Sequence, residues 1–330
     1  MSDHISDQLQ SWADLSGIDW SSLLIGNGAS VNMWHRFAYN SLYELAKDTK
    51  AEYFLSENDQ KIFASLGTHN FEYVLECLDA GQKINHSLNL DIELILASYH
   101  NIRRSLVGAV HAAHIPWAKL EQDKLGELNS FLSEFLNVYS TNYDLILYWI
   151  IMHKKCGFRD YFFNGVEFDV LNTQIKGKKT AVHYLHGGLH LFRRSDGTTL
   201  KRQAEAGKNL LDAFSDPVDG AESLFVSEGS ASEKLFSIYR SQYLSFAYTK
   251  LNNDHGPLVV FGHSLGESDK HIANAIARNR DRPLAISILP GSNIIKEKGR
   301  YIGILGKKDI AFFDATTFPL GDPTLRVEEE

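Results

Sequence analysis

Six short, mostly apolar runs constrain this chain more than any other feature: Leu23–Ile25, Asn137–Ser140, Ala181–Leu185, Leu258–Phe261, Leu284–Leu289 and Ile310–Phe313. Most give way to a glycine or a short polar side chain. Runs of this kind, without polar alternation, are the signature of strands buried on both faces. Helical patterns follow several of them, as parallel βαβ units require. The expected fold is therefore α/β with a mostly parallel sheet. A chain of 330 residues can bury a large core, and residues 1–330 are read as one domain.

Between the first and second runs the pattern turns helical. Ile92, Ile95, Leu96, Tyr99, Ile102, Leu106 and Val110 trace one stripe before Pro116, and Leu125, Leu128, Phe131, Leu132, Phe135 and Leu136 trace another. The expectation is a helical insertion over about 45–135 that covers the sheet edge and lids a pocket. A helix is expected after Phe225-Val226-Ser227-Glu228-Gly229. Ser230 and Glu233 stand at capping-box spacing there, and Leu235, Ile238, Leu244 and Leu251 recur at helical intervals. The polar tail 319–330 is expected to fray.

Composition removes whole classes of function. The net charge of −8 offers no basic footprint, so direct nucleic-acid binding is not expected. Apolar stretches such as Leu145–Met152 are too short to span a bilayer, and the first residues show no signal-peptide pattern. Cys77 and Cys156 cannot form a framework of bridges, which fits a reducing cytoplasm.

Four motifs carry chemistry. Gly26-Asn27-Gly28-Ala29-Ser30 follows a strand, where backbone N–H groups can approach a phosphate, although the third glycine of a dinucleotide fingerprint is missing. Thr141-Asn142-Tyr143-Asp144 places short polar side chains at the carboxyl end of a strand. Ligands bind at such ends, and helix caps use the same residues. His186-Gly187 also stands at a strand end, with the glycine leaving room for substrate beside a base. His183 and His186 lie three apart, on opposite faces of a strand, so they should not share an ion. His190 is the weaker catalytic candidate, and His183 reads as structural. Gly262-His263-Ser264-Leu265-Gly266 matches the G-x-S-x-G elbow of serine esterases letter for letter. That triad needs a distant histidine later in the chain, and His271, with Asp269 before it, sits on the same turn.

Taken in order, these motifs resemble the sirtuin (Sir2-like) family, most closely its zinc-less bacterial branch of AbiH-like and DUF4917 proteins. The sequence Arg36–Tyr43 is similar to the family's cofactor-covering loop but departs from its pattern. The resemblance implies a Rossmann-like doubly wound fold and NAD as substrate, with cleavage of the nicotinamide–ribose bond. It assigns Asn142 and His186 to catalysis, with Asp144 on the carboxamide. It assigns Gly26, Asn27, Gly28, Ser30, Gly262, Ser264 and Asp269 to cofactor binding. Two isolated cysteines cannot build the zinc module of sirtuin deacylases, so no metal is expected. The implied protein is a cytoplasmic NAD glycohydrolase that depletes NAD in antiphage defence by abortive infection. Its implied partners are further copies of itself or a separately encoded sensor subunit. A non-catalytic sensor of NAD or ADP-ribose and, further off, a serine esterase stay open.

Overall fold

A computed structural model describes residues 6–48, 50–51, 53–163, 165–203, 220–226 and 230–328. Its centre is a seven-stranded, wholly parallel sheet. The strands are β1 (Ser22–Ile25), β2 (Asn137–Ser140), β3 (Phe158–Arg159), β4 (Thr180–Tyr184), β8 (Leu258–Phe261), β9 (Leu284–Ile288) and β10 (Ala311–Asp314), in the order β10-β9-β8-β1-β2-β4-β3. All four β1 residues are buried, with Ser22 in register with Asn137 on one side and Leu258 on the other. Burial on both faces is what the unalternating runs anticipated. Helices flank the sheet, giving a Rossmann-like doubly wound fold. The chain lays β2 and β4 to one side of β1, then returns to place β8 on the other. The order reverses between β1 and β8, and α/β proteins bind ligands at such a reversal.

Among the described residues six α-helices fill the interval between β1 and β2: α1 (Asn27–Met33), α2 (Tyr39–Ala46), α3 (Glu57–Leu66), α4 (Phe71–Ser87), α5 (Glu93–Ala113) and α6 (Gln122–Leu132). Buried Ile102, Leu106 and Val110 come from the first predicted stripe, and Leu125, Leu128 and Leu132 from the second. Helix α7 (Ile146–His153) follows β2.

The sequence patterns do not reveal a second sheet that the structure contains. Strands β5 (Gly187–Arg194), β6 (Thr199–Lys201) and β7 (Ala221–Phe225) form an antiparallel sheet in the order β6-β5-β7. The stretch His183–His190 is thereby divided between two sheets. The helix expected after Gly229 is two helices, α8 (Ala231–Tyr239) and α9 (Gln242–Asn252). The capping box of Ser230 and Glu233 opens the first, and Ser241 caps the second by accepting from Leu244 N–H. Residues 227–229 of the preceding motif lie outside the described residues. Helices α10 (Lys270–Ala277) and α11 (Ile294–Leu305) complete the last crossovers.

The tail does not fray through residue 328. Leu320 and Leu325 are buried, Val327 N–H donates to the Met33 carbonyl at 3.0 Å, and Asn32 Nδ2 donates to the carbonyls of Leu320 and Asp322. Its few apolar residues follow no helix or strand period, so sequence alone does not reveal them as anchors. Among the described residues no helix is long and apolar enough to cross a membrane.

Candidate active site at the sheet reversal

Two loops meet where the strand order reverses. Gly26 N–H donates to the Phe261 carbonyl and Gly28 N–H to the Gly262 carbonyl, both at 2.9 Å. A Cβ on Gly26 would lie 2.6 Å from the Gly262 oxygen, and one on Gly28 would lie 2.7 Å from Gly262 Cα. Gly262 itself has φ +64 and faces Ala29 N. The glycines let the loop after β1 and the loop after β8 touch backbone to backbone. Two of the N–H groups that the expected phosphate cradle would use are engaged within the protein. The N–H groups of Gly26 and Gly28 are already spent on the neighbouring loop, and the glycines serve to keep the floor of the site bare.

An inner cavity of about 400 Å³ opens above this floor. Asn27, Gly28, Asn142, Asp144, His186, Gly262, Ser264 and Asp269 line it, so eight of the ten predicted site residues converge there. Phe37, Ala38, Tyr39 and Leu42 also line it, from the stretch likened to a cofactor-covering loop. Glu72 of α4 and Leu106 and Val110 of α5 add walls from the helical insertion. An outer cavity of about 760 Å³ shares Gly28, Val31, Gly262, His263 and Ser264, and it adds His35, Ser287, Arg300 and Arg326. Gly26 and Ser30 line neither cavity.

Asn142 is held rigidly. Its Nδ2 donates to the Gly26 carbonyl at 3.1 Å and to Ser30 Oγ at 2.8 Å. Ser30 in turn donates to Asp144 Oδ2 at 2.6 Å, so both partners of Nδ2 act as acceptors and the amide orientation is fixed. Asn142 Oδ1 is left buried without a partner. Asp144, which lines the cavity, already has one partner inside the protein on each oxygen. Oδ2 accepts from Ser30, Oδ1 accepts from Ile146 N–H at 2.8 Å, and burial raises its pKa against those two bonds. It braces Asn142 through Ser30. Ser30, expected on the cofactor, is the buried middle of that relay.

His186 follows β4 and is almost wholly buried. A Cβ on Gly187, at φ +83, would fall 1.9 Å from the Leu224 carbonyl, so this glycine makes way for β7 and not for substrate. His186 Nε2 stands 2.9 Å from His271 Nε2 and 3.9 Å from Asp269 Oδ1. Burial lowers its pKa well below the ordinary value and so keeps the ring neutral near pH 7, with Asp269 offsetting only part of that shift. His183 and His190 are fully buried among aromatic rings. His183 packs between Tyr139 and Tyr161, and His190 packs against Tyr148 and Tyr184.

Behind the cavity lies a charge cluster that no sequence motif announces. Lys234 Nζ, fully buried, binds Glu72 Oε2 at 3.1 Å and Asp269 Oδ1 at 2.8 Å. Burial alone would discharge this ammonium, but Glu72 and Asp269 outweigh it and hold the pKa above its usual value. Asp269 is likewise pushed up by burial and pulled far below the carboxylate range by Lys234, then His186 and His263. His263 Nδ1 accepts from Leu265 N–H at 2.9 Å, so its proton sits on Nε2, which faces Asp269 Oδ2 at 3.6 Å. Nothing in the residues around Glu72 marks it for this role. Lys234 leaves one clue: it lies four residues before Ile238, on the apolar face of α8, where only a paired cation is tolerated.

The G-x-S-x-G motif forms no nucleophile elbow. The positive φ values fall on Gly262 and Leu265, not on Ser264. Ser264 is exposed at the junction of the two cavities, and among the described residues its hydroxyl pairs with no histidine.

No curated protein matches the chain. Over residues 23–319 it matches the family described as a domain of unknown function, DUF4917, and the chain belongs to that family.

Proposed function

We propose that this protein is a Sir2-like NAD glycohydrolase of the zinc-less, AbiH-like kind, releasing nicotinamide and ADP-ribose. The observation that carries the reading is the convergence of Asn142 and His186 on one cavity at the sheet reversal, with Asn142 Oδ1 buried and unpartnered. A carbonyl oxygen fixed in that way can hold a ribose hydroxyl or the attacking water. Neutral His186 takes the proton that the water or hydroxyl gives up. Charge supports the same reading. The inner lining carries no Lys or Arg among the described residues, so no cation on it opposes a pyridinium or the oxocarbenium ion that forms as it leaves, while Lys234 behind the lining balances Glu72 and Asp269. Arg300 and Arg326 stand on the outer side, where the diphosphate and adenosine half would extend past Ser264.

The test is incubation of pure protein with NAD and measurement of free nicotinamide. Asn142→Ala and His186→Ala are each expected to abolish release while leaving the fold intact, and the double variant should lose no more than either single one. Full activity in either variant would remove the assignment. Binding of NAD with no release by the parent, in forced oligomers as well as alone, would favour the non-catalytic sensor.

Unchecked NAD cleavage would kill the cell that makes the enzyme, so control must come from outside the chain. We place it in self-assembly or a sensor subunit docking on the helical region. The turn between α4 and α5 supports this, because Ile84, Leu88, Leu90 and Leu94 are 59, 62, 56 and 78% exposed. The isolated monomer should turn NAD over slowly, and forced oligomerisation or added partner should raise the rate. Brisk hydrolysis by the monomer at every concentration would refute this.

A further inference from the structure

The contact between His186 and His271 asks for an explanation that the reaction itself does not supply. Two imidazole Nε2 atoms at 2.9 Å must share one proton, because two bare lone pairs or two N–H groups would repel. His271 sits on α10, is itself buried, and lines neither cavity. Its backbone carbonyl accepts from Tyr248 Oη at 3.0 Å, and its Nδ1 has no partner.

We propose that His271 is the positioning residue of this site, accepting the Nε2 proton of His186 and thereby fixing both the ring and the tautomer of the catalytic base. The Asp269 carboxylate, 3.9 Å from His186 Nε2, draws the shared proton onto that atom. His186 then keeps Nδ1 free of a proton, and Nδ1 is the nitrogen left to meet a substrate. In hydrolase triads a carboxylate performs this orienting duty for histidine, and in this site a neutral imidazole takes its place. Burial holds the His271 pKa down to about 3, so the ring can act as an acceptor throughout the neutral range.

A divalent metal is the rival occupant, since His186, Asp269 and His271 offer three ligand atoms within 4.8 Å of one another. Lys234 argues against it. Its ammonium lies 2.8 Å from the same Asp269 oxygen that stands nearest His186, so the third ligand already has its cation.

The role of Nδ1 rests on the glycohydrolase reading, whereas the tautomer does not, and the experiment separates them. Imidazole ¹⁵N spectra of histidine-labelled protein should show His186 as the Nε2–H tautomer. His271→Phe keeps a ring without an acceptor and should abolish that preference. His271→Gln, whose Oε1 reaches about as far as Nε2, should restore it. In the nicotinamide assay His271→Phe should lower kcat roughly 10³-fold with KM for NAD little changed, and the Gln variant should recover most of the loss. An Nδ1–H tautomer in the parent, a tautomer indifferent to both substitutions, or one equivalent of tightly bound divalent metal would overturn the inference. If the spectra behave as expected and no NAD is cleaved even by the forced oligomer, the pairing stands and the glycohydrolase reading falls.

Discussion

Replacing Lys234 with methionine is expected to cost about 3–5 kcal/mol of folding stability at neutral pH, the usual result of removing one partner from a buried ion pair. Methionine fills similar space, so the loss is electrostatic. Glu72 and Asp269, whose oxygens lie 3.1 and 2.8 Å from the ammonium, would be left sharing a poorly solvated site without a counter-charge. Burial, no longer opposed by Lys234, would then push the folded-state pKa of Asp269 above its unfolded value. Such a group destabilises the fold above that pKa and ceases to do so once protonated. The deficit of the variant relative to the parent should therefore shrink as pH falls from 7 toward 6, where the parent is still folded. Urea unfolding of both proteins at the two pH values measures it. Adding Glu72→Gln should recover part of the loss, because the two sites are coupled. A deficit below about 1 kcal/mol would show that the cluster is better solvated than its burial indicates.

Acid sensitivity should be larger still. Burial holds His183, His190 and His271 at a pKa of about 3 and His114 at about 4. In the unfolded chain each titrates near 6.5. Below that value the unfolded chain binds protons that the native fold refuses, so stability falls with pH until the folded pKa values are reached. Each histidine removes about 1.4 kcal/mol per pH unit in that window, or about 2 kcal/mol between pH 7 and 5. Four together match the whole stability of an ordinary domain. The protein should unfold cooperatively near pH 5. His183→Phe and His190→Phe keep the aromatic stacking and remove the titration, and each should flatten the pH dependence by its own share. Unfolding curves that superimpose at pH 7 and 5 would disprove this origin of acid sensitivity.

The expected positions of Asn142 and His186 rest on a local fact: each follows a run that could only be a buried parallel strand. All such strands end on one edge of the sheet, so residues just past them meet whatever the loops do. The same reasoning brings Gly28, Gly262, Ser264 and Asp269 to the site. It does not reach the partners of individual atoms. Gly187 makes room for β7, Gly26 and Gly28 give their N–H groups to a neighbouring loop, and Ser30 and Asp144 face inward to hold Asn142.

Sequence by itself determined the parallel strands, the helical interval between β1 and β2, and the convergence of the motifs, because these follow from periodicity and chain order. Only the tertiary structure decided the rest. The Glu72–Lys234–Asp269 cluster and the His186–His271 pair join residues from elements far apart in the chain. Whether a buried charge or imidazole is tolerated depends on a partner that no local pattern names, since the energy of the pair exists only once folding has brought the two together.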